Sequence, residues 1–276
     1  REQLLAQGGM SDVYLAKDVT TGQVMAWKEA HNRFNPLRVS NSKLRGEAEL
    51  LQSLQHPQLP KFITLGETIN SDGATCGVLV EEFIEGGDLK ETIAHVSKMG
   101  MSLPLDRIVS IFSDICKPLE MMASLPEPVY HRDLKPHNVI VHAERGPVLI
   151  DFGLAKMVAS EVDVSITRGG SGTWTSPERD SGVSGPFTDV YSLGKMLYYL
   201  CVNEKPPAIL GSSDALKVVS KGHPSWLADL IIKAADPRYQ SRIQSVSQFR
   251  QVLESQGQAA EKVTTETSSD DYTTWS

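Results

Sequence analysis

The sequence predicts an α+β protein in which strands come early in the chain and helices follow. Residues 4–30 alternate apolar and polar side chains around turn residues, which is typical of an antiparallel hairpin plus a third strand. Apolar residues recur at three- and four-residue steps in residues 42–54 and 104–125, as in helices that bury one face. Two further helices are predicted at residues 225–235 and 245–253. A chain of 276 residues fits one large domain or two small lobes that share a cleft.

Composition narrows the class of protein. The formal net charge of -7 and the pI of about 5.5 argue against nonspecific nucleic-acid binding. Cys76, Cys116 and Cys201 are odd in number and lack metal-ligand spacing, so we expect free thiols in a reducing compartment. No apolar run reaches the ~20 residues of a membrane span, so we expect no membrane contact within this chain. Because the chain starts at Arg1 without methionine, we expect either a cytoplasmic protein or the cytoplasmic domain of a larger, membrane-anchored one.

The strongest chemical signal is a polar stretch, YHRDLKPHN at residues 130–138, followed by two short apolar runs and then Asp151. Asp133 can accept a proton, and Lys135 can neutralise charge on a transferring phosphoryl group. Asn138 and Asp151 offer the hard oxygen ligands that Mg2+ requires. Together these groups suit phosphoryl transfer, which depends mainly on positioning and charge stabilisation.

His131-Arg132-Asp133 with Asn138, followed by Asp151-Phe152-Gly153, resembles the catalytic and magnesium loops of the protein kinase family. Either tripeptide alone could be a chance match, but both occur in order and at the family's spacing. The lysine at position 135 favours a serine/threonine kinase over a tyrosine kinase.

The resemblance implies a two-lobed kinase fold with a mostly β N-lobe at residues 1–85 and a mostly α C-lobe at residues 86–256. Residues 257–276 have almost no apolar periodicity, so we expect a disordered tail or linker there. Pro118 lies inside the helical pattern of residues 104–125 and is expected to kink or break that helix.

A turn near Gly8 would cover the phosphates of a nucleotide. Glycine lets backbone N–H groups approach phosphate oxygens, but only one of the three glycines in the family's pattern is present. Taken alone, the motif would be an ordinary hairpin turn. The resemblance nevertheless assigns nucleotide contacts to Leu5 and Gly8, with Val13 and Ala26 flanking the adenine.

Lys28 ends an A-x-K motif on the third strand and by resemblance positions the nucleotide. Its expected partner is Glu47 rather than Glu49, because counting back from His56-Pro57 as in the family selects Glu47. Glu47 would otherwise be a solvated charge on an isolated helix.

Residues 78–89 resemble the fifth strand and hinge of the family. Glu82 and Ile84 would offer main-chain groups to adenine. Asp88 has two compatible interpretations: it could bind the ribose, or it could cap the helix that follows.

The same alignment places Glu81 where the family usually has an apolar residue or threonine, at the back of the adenine pocket. A buried carboxylate is costly when unpaired, so it needs Lys28, the adenine amino group or water as a partner. It would then compete with Glu47 for Lys28. The alternative is a one-residue bulge that turns Glu81 to solvent.

The polar stretch from residue 156 to residue 172 is expected to be the activation segment. Ser165 and Thr167 are the expected autophosphorylation sites, with Arg132 as partner for the phosphate. The motif at residues 170–178 aligns Ser171 with the catalytic loop, whereas the alternative uses Thr173 and requires a two-residue deletion.

Glu178 should pair with Arg242 or, failing that, Arg238. By family analogy, Asp189 holds the backbone of residues 131–133.

The resulting hypothesis is a serine/threonine kinase of bacterial type that transfers the γ-phosphate of ATP, with Mg2+ or Mn2+, to proteins that include itself. Self-association for autophosphorylation and protein substrates are its expected partners. Two rivals remain. A pseudokinase that only binds is supported by the poor glycine turn, and a small-molecule phosphotransferase is opposed by the Ser176-Pro177-Glu178 motif.

Overall fold

The computed structural model describes residues 1–70, 73–153, 155–157 and 172–269. Its first part is a five-stranded antiparallel sheet in the order β1-β2-β3-β5-β4. The strands are β1 (Gln3–Gln7), β2 (Ser11–Lys17), β3 (Val24–Ala30), β4 (Phe62–Ile69) and β5 (Thr75–Glu82). Helix α1 (Leu37–Ser53) packs against this sheet and begins five residues earlier than predicted, directly after Pro36.

The second part is mostly helical, as predicted. Its helices are α2 (Leu89–Lys98), α3 (Leu105–Ala123), α4 (Pro186–Val202), α5 (Ser212–Ser220), α6 (Ser225–Ala234) and α7 (Val246–Ser269). Short strands add β6 (Gly87–Asp88), β8 (Val139–His142) and β9 (Gly146–Leu149) in one sheet, and β7 (Val129–Tyr130) with β10 (Lys156–Met157) in another. The α+β class and the two lobes are therefore confirmed.

Helix α4 is the centre of the C-lobe. Every residue from 188 to 202 is buried, because α3, α6 and α7 all pack around it. Pro186 starts the helix, where a missing N–H costs nothing. Asn203 ends it in a left-handed conformation with φ 57°. This packing places the N-terminus of α4, with Asp189, beneath the loop at residues 131–133.

Helix α3 presents the predicted apolar face but runs unbroken through Pro118. The proline removes one backbone donor and does not end the helix, since its own ring is buried among the neighbouring apolar side chains. The expected break is therefore wrong, whereas the alternative, a kink at Pro118, stays a prediction. Within the described residues, none of the helices is both long enough and apolar enough to span a bilayer.

The disordered tail expected from residue 257 is also wrong as far as Ser269, because α7 continues to that residue. Phe249 and Leu253 anchor the helix in the core. Gly257 is buried close to Val109 of α3, so the packed face extends one turn beyond the apolar pattern. Residues 270–276 lie outside the described part of the chain.

Candidate active site

Lys28 lies on the buried face of β3 and contacts two carboxylates. Its Nζ is 2.6 Å from Glu47 Oε1 on α1 and 2.9 Å from Glu81 Oε1 on β5. All three side chains are buried. The predicted ion pair with Glu47 is therefore present, and Glu81 points inward as the second partner. The bulge that would have turned Glu81 to solvent does not occur, because Ala26 and Glu81 are directly paired across β3 and β5.

This cluster carries more negative than positive charge. Burial acts to lower the pKa of Lys28, but Glu47, Glu81 and Asp151 outweigh it and raise that pKa. Burial raises the pKa of Glu81 to about 7, against the opposing effect of Lys28. The second oxygen of Glu81, Oε2, is buried with no hydrogen-bond partner among the described residues.

Glu47 also connects α1 to the turn at residues 151–153. Its Oε1 accepts a hydrogen bond of 3.0 Å from Phe152 N as well as the one from Lys28. Phe152 is buried, and its ring lies 4.9 Å from the ring of His131. One carboxylate therefore couples the position of α1, the lysine strand and the predicted metal loop.

The catalytic loop holds Asp133 in a defined geometry. Lys135 Nζ is 2.6 Å from Asp133 Oδ2. Asn138 Nδ2 donates to the Asp133 carbonyl at 2.9 Å and to its Oδ2 at 3.3 Å. The fixed amide nitrogen leaves Asn138 Oδ1 as the end that faces away from Asp133, available to a cation.

Asp189 fixes the backbone of the same loop from below, as expected. Its carboxylate accepts from His131 N at 2.9 Å and from Arg132 N at 2.8 Å. These bonds hold Arg132 at a φ of 66°, a left-handed conformation that is strained for a side chain of this size. Asp189 therefore has a positioning effect on Asp133, the next residue.

Asp151 shares this strained backbone, with a φ of 65°. Burial acts to raise its pKa, but Lys28 and Lys135 outweigh that effect and lower it. The carboxyl is thus ready as an anion. In the described residues, no group of three or more His, Cys, Asp or Glu could hold a metal ion. Two oxygen ligands, from Asn138 and Asp151, suit Mg2+, which often keeps several waters and binds through substrate phosphates.

The predicted nucleotide residues line one edge of the sheet and the hinge. Val13 is paired with Lys28 across β2 and β3. Ala26 and Ile84 are buried, whereas Leu5 is exposed. Asp88 caps α2, since its Oδ1 accepts from Glu91 N at 2.7 Å, so the capping interpretation is confirmed. The second interpretation, a contact of Asp88 with the ribose, stays a prediction.

The described part of the activation segment begins again at Gly172. Thr173 is half-buried in a short 3-10 turn, Gly172–Trp174. Trp174 packs edge-on against Tyr199 of α4 at 5.7 Å. Ser165, Thr167 and Ser171 lie outside the described residues, so their assignment stays a prediction, as does the choice between Ser171 and Thr173.

Glu178 pairs with Arg242, the first of the two alternatives. The contact is bidentate, at 2.8 Å and 3.0 Å, and both side chains are buried. Arg238 instead pairs with Asp236 at the surface.

A protein kinase domain model matches residues 1–256 of the chain. The chain belongs to the protein kinase family. It is similar to the serine/threonine-protein kinase PknB of Mycobacterium leprae, with 31% identity over 206 residues, 74% of this chain and 32% of that protein. It is also similar to the probable serine/threonine-protein kinase CPE1738 of Clostridium perfringens, with 28% identity over 262 residues, 90% of this chain and 36% of that protein.

A third similar kinase is pkn2 of Myxococcus xanthus, with 30% identity over 210 residues, 73% of this chain and 24% of that protein. The chain therefore spans about a third of the length of the first two relatives and about a quarter of the third. The resemblance to bacterial serine/threonine kinases is confirmed.

The contacts of two arginines in this kinase domain could not be predicted from the sequence. Arg145, at the β8–β9 turn, binds Glu82 Oε1 at 2.8 Å, Pro57 O at 2.6 Å and Leu59 O at 2.9 Å, and so joins the two lobes behind the hinge. Arg179 donates to the Arg132 carbonyl at 3.2 Å. Neither residue belongs to a motif quoted above. An isolated arginine in a turn gives no indication of its partners.

Proposed function

We propose that this kinase domain transfers the γ-phosphate of Mg-ATP to serine or threonine hydroxyl groups of proteins. The single observation that carries the proposal is the Asp133–Lys135–Asn138 group, in which the aspartate is buried and held within 2.6 Å of the lysine Nζ. The intact group opposes the pseudokinase alternative. The names of the bacterial relatives support the serine/threonine choice.

The family resemblance gives each residue a role that is compatible with its contacts. Asp133 orients the acceptor hydroxyl and takes its proton as the new oxygen–phosphorus bond forms and the bond from the γ-phosphorus to ADP breaks. Lys135, already beside Asp133, stabilises the charge of the phosphoryl group. Lys28 positions the nucleotide phosphates and Glu47 holds Lys28 in place. Asn138 and Asp151 would hold Mg2+ or Mn2+, and the bound ion would neutralise charge on the phosphates.

Autophosphorylation belongs to the same proposal. Arg132 Nε is buried without a hydrogen-bond partner among the described residues, and Arg179 lies beside it. Burial, together with the neighbouring Arg179, lowers the pKa of Arg132. A phosphate on Ser165 or Thr167 would form charge-assisted hydrogen bonds with these guanidinium groups. Transfer between two copies requires their transient self-association.

The test is incubation of the purified chain with Mg-ATP and a generic protein acceptor, followed by phosphosite mapping. Asp133→Asn should keep the fold and nucleotide binding and lose transfer, because it removes proton acceptance with little change of shape. Asp214→Asn is the matched control, since Asp214 is as buried as Asp133, each with 8% of its surface exposed. Nucleotide binding without turnover in the wild type would favour the pseudokinase alternative, which the incomplete glycine motif also supports.

A further inference from the structure

The turn between β1 and β2, residues 7–11, is held from one side by the segment that follows β3, residues 31–35. His31 Nε2 is 2.9 Å from the Gly8 carbonyl oxygen. His31 N donates to the Met10 carbonyl at 3.0 Å. Asn35 Nδ2 lies 3.4 Å from the Gly9 carbonyl. Three successive carbonyl groups of the turn therefore face the same segment.

The tautomer of His31 follows from its second ring nitrogen. Nδ1 accepts a hydrogen bond from Arg33 N at 3.3 Å, so it carries no proton. The proton of the neutral ring is then on Nε2, which donates to the Gly8 carbonyl. The ring is 8% exposed and packs edge-on against Phe34 at 6.1 Å. His31 is thus a fixed, oriented donor.

The direction of these carbonyls sets the direction of the turn's N–H groups. In a planar trans peptide the C=O of one residue and the N–H of the next point in opposite directions. The N–H groups of Gly9 and Met10 consequently point away from residues 31–35. Within the described residues, neither of these N–H groups has a backbone acceptor. Successive N–H groups directed to one side form the concavity that binds anions in many phosphate sites.

The sequence of the turn only partly determines its shape. Gly8 N donates to Ser11 O at 2.9 Å, and a Cβ on Gly8 would lie 2.8 Å from that oxygen, so only glycine fits. The turn has one glycine where the kinase pattern has three, with Ala6 and Ser11 at the other two positions. The contacts from residues 31–35, here called the clamp, therefore stabilise a turn conformation that the sequence of the turn does not fix by itself.

We infer that His31 is a positioning residue that fixes the turn at residues 7–11 so that Gly9 and Met10 present their N–H groups to nucleotide phosphates. The inference rests on the proposed function for its ligand. It does not depend on catalytic turnover, because the contact concerns phosphate binding. The competing explanation is that His31 merely packs the end of β3.

Two substitutions at one position separate these explanations. His31→Phe keeps a ring against Phe34 but removes the donor to Gly8. His31→Gln keeps an N–H donor of similar reach. His223→Phe is the matched control, since His223 is a C-lobe histidine with 7% of its surface exposed.

The measurements are the dissociation constants of a non-hydrolysable Mg-ATP analogue and of adenosine. We expect His31→Phe to weaken binding of the analogue by about three- to tenfold, the value of one hydrogen bond and its orphaned carbonyl, while adenosine binding stays within about twofold. His31→Gln should recover most of the affinity. In the steady state, KM for ATP should rise with kcat nearly unchanged. Amide hydrogen exchange in residues 8–11 should quicken in His31→Phe only.

Parallel weakening of the analogue and adenosine, no change in either, or a glutamine variant as poor as phenylalanine would overturn the inference. Selective loss of the analogue in a chain that transfers no phosphate would support the clamp and overturn the proposed function. If the wild type transfers phosphate but His31→Phe leaves the ratio of the two dissociation constants unaltered, the proposed function would stand and the clamp would be overturned. A wild type that binds no nucleotide overturns both.

Discussion

Two buried ion pairs, one in each lobe, differ in how their charges balance. In the C-lobe, Arg242 and Glu178 form a bidentate pair of one cation and one anion. The remaining arginine nitrogen, Nε, donates to the Asp236 carbonyl at 3.0 Å, and the ring of Tyr191 lies 4.9 Å from the guanidinium carbon. In the N-lobe, the single cation of Lys28 faces Glu47 and Glu81 directly. One oxygen of Glu81 has no partner among the described residues.

The difference separates a structural role from a functional one. A saturated pair gains nothing from a ligand, so Arg242 and Glu178 fix the segment after residue 172 against α4. An unbalanced cluster has one carboxylate too many for its lysine. A nucleotide phosphate that binds Lys28 would compete with Glu81, while Glu47 holds the lysine in place. The excess negative charge, with its energetic cost, therefore lies at the proposed nucleotide site.

Breaking the balanced pair should have the largest effect. Arg242→Leu leaves Glu178 buried without a counter-ion, and we expect a loss of about 3–5 kcal/mol in the free energy of unfolding. Chemical denaturation measures it. Arg238→Leu is the control, because its pair with Asp236 is exposed and should be worth less than about 1 kcal/mol. The double variant Glu178→Leu with Arg242→Leu should recover part of the loss, and equal losses in the single and double variants would contradict this account.

Removing the cation of the unbalanced cluster should slow the chemistry and also lower stability, because it leaves Glu47 and Glu81 buried without a counter-ion. Lys28→Met should lower the rate of phosphate transfer by about a hundredfold to a thousandfold, the usual cost of one preorganised charged donor. The measurement is kcat/KM for ATP, with circular dichroism to verify folding. Lys17→Met, an exposed lysine on β2, should change nothing. Unaltered transfer in Lys28→Met would remove Lys28 from the mechanism.

The excess carboxylate should make stability depend on pH. The pKa of Glu81 is raised from 4.5 to about 7. Below pH 4.5 the carboxyl is protonated in both folded and unfolded chains, so its contribution is fully present. As pH rises to 7, the unfolded chain ionises first and that stability is lost. Glu81→Gln should therefore exceed the wild type in stability at pH 8, by on the order of 3 kcal/mol at about 1.4 kcal/mol per pKa unit.

Unfolding free energies at pH 5 and pH 8 test this prediction. Glu29→Gln is the control, since Glu29 is a buried glutamate on β3 paired with Arg1. A gap between wild type and Glu81→Gln that is the same at both pH values would contradict it.

Sequence motifs predicted the residues whose partners are set by chemistry. The contact of Lys28 with Glu47, and that of Asp189 with the backbone of residues 131–132, could be predicted because each belongs to a motif whose parts are spread over the chain. Arg145 and His31 could not be predicted in this way. The acceptor of His31 and two of the three acceptors quoted for Arg145 are backbone carbonyls, which every residue possesses, so no side-chain type marks these partners.

Local periodicity also failed where packing extends a helix. Beyond Leu253 the apolar repeat ends, and the absence of apolar residues predicted disorder for the tail. One turn beyond Leu253, Gly257 permits close approach of α7 to Val109, a contact that a count of apolar residues does not detect. The orientation of Glu81 was likewise open until the register between β3 and β5 was known.

The smallest expected effect concerns the affinity of inhibitors that reach Glu81, the excess carboxylate. Glu81 sits across from Ala26, one of the residues proposed to flank adenine, so its charge should repel inhibitors that place an apolar group behind the adenine ring. Glu81→Met should raise affinity for such inhibitors by about tenfold, the gain from burying two methylene groups, while Mg-ATP turnover survives because Glu47 still holds Lys28. Glu81→Gln removes the charge without adding apolar surface and should give a smaller gain. Inhibitor dissociation constants measured for the three chains decide the matter, and equal values would show that Glu81 does not face the ligand.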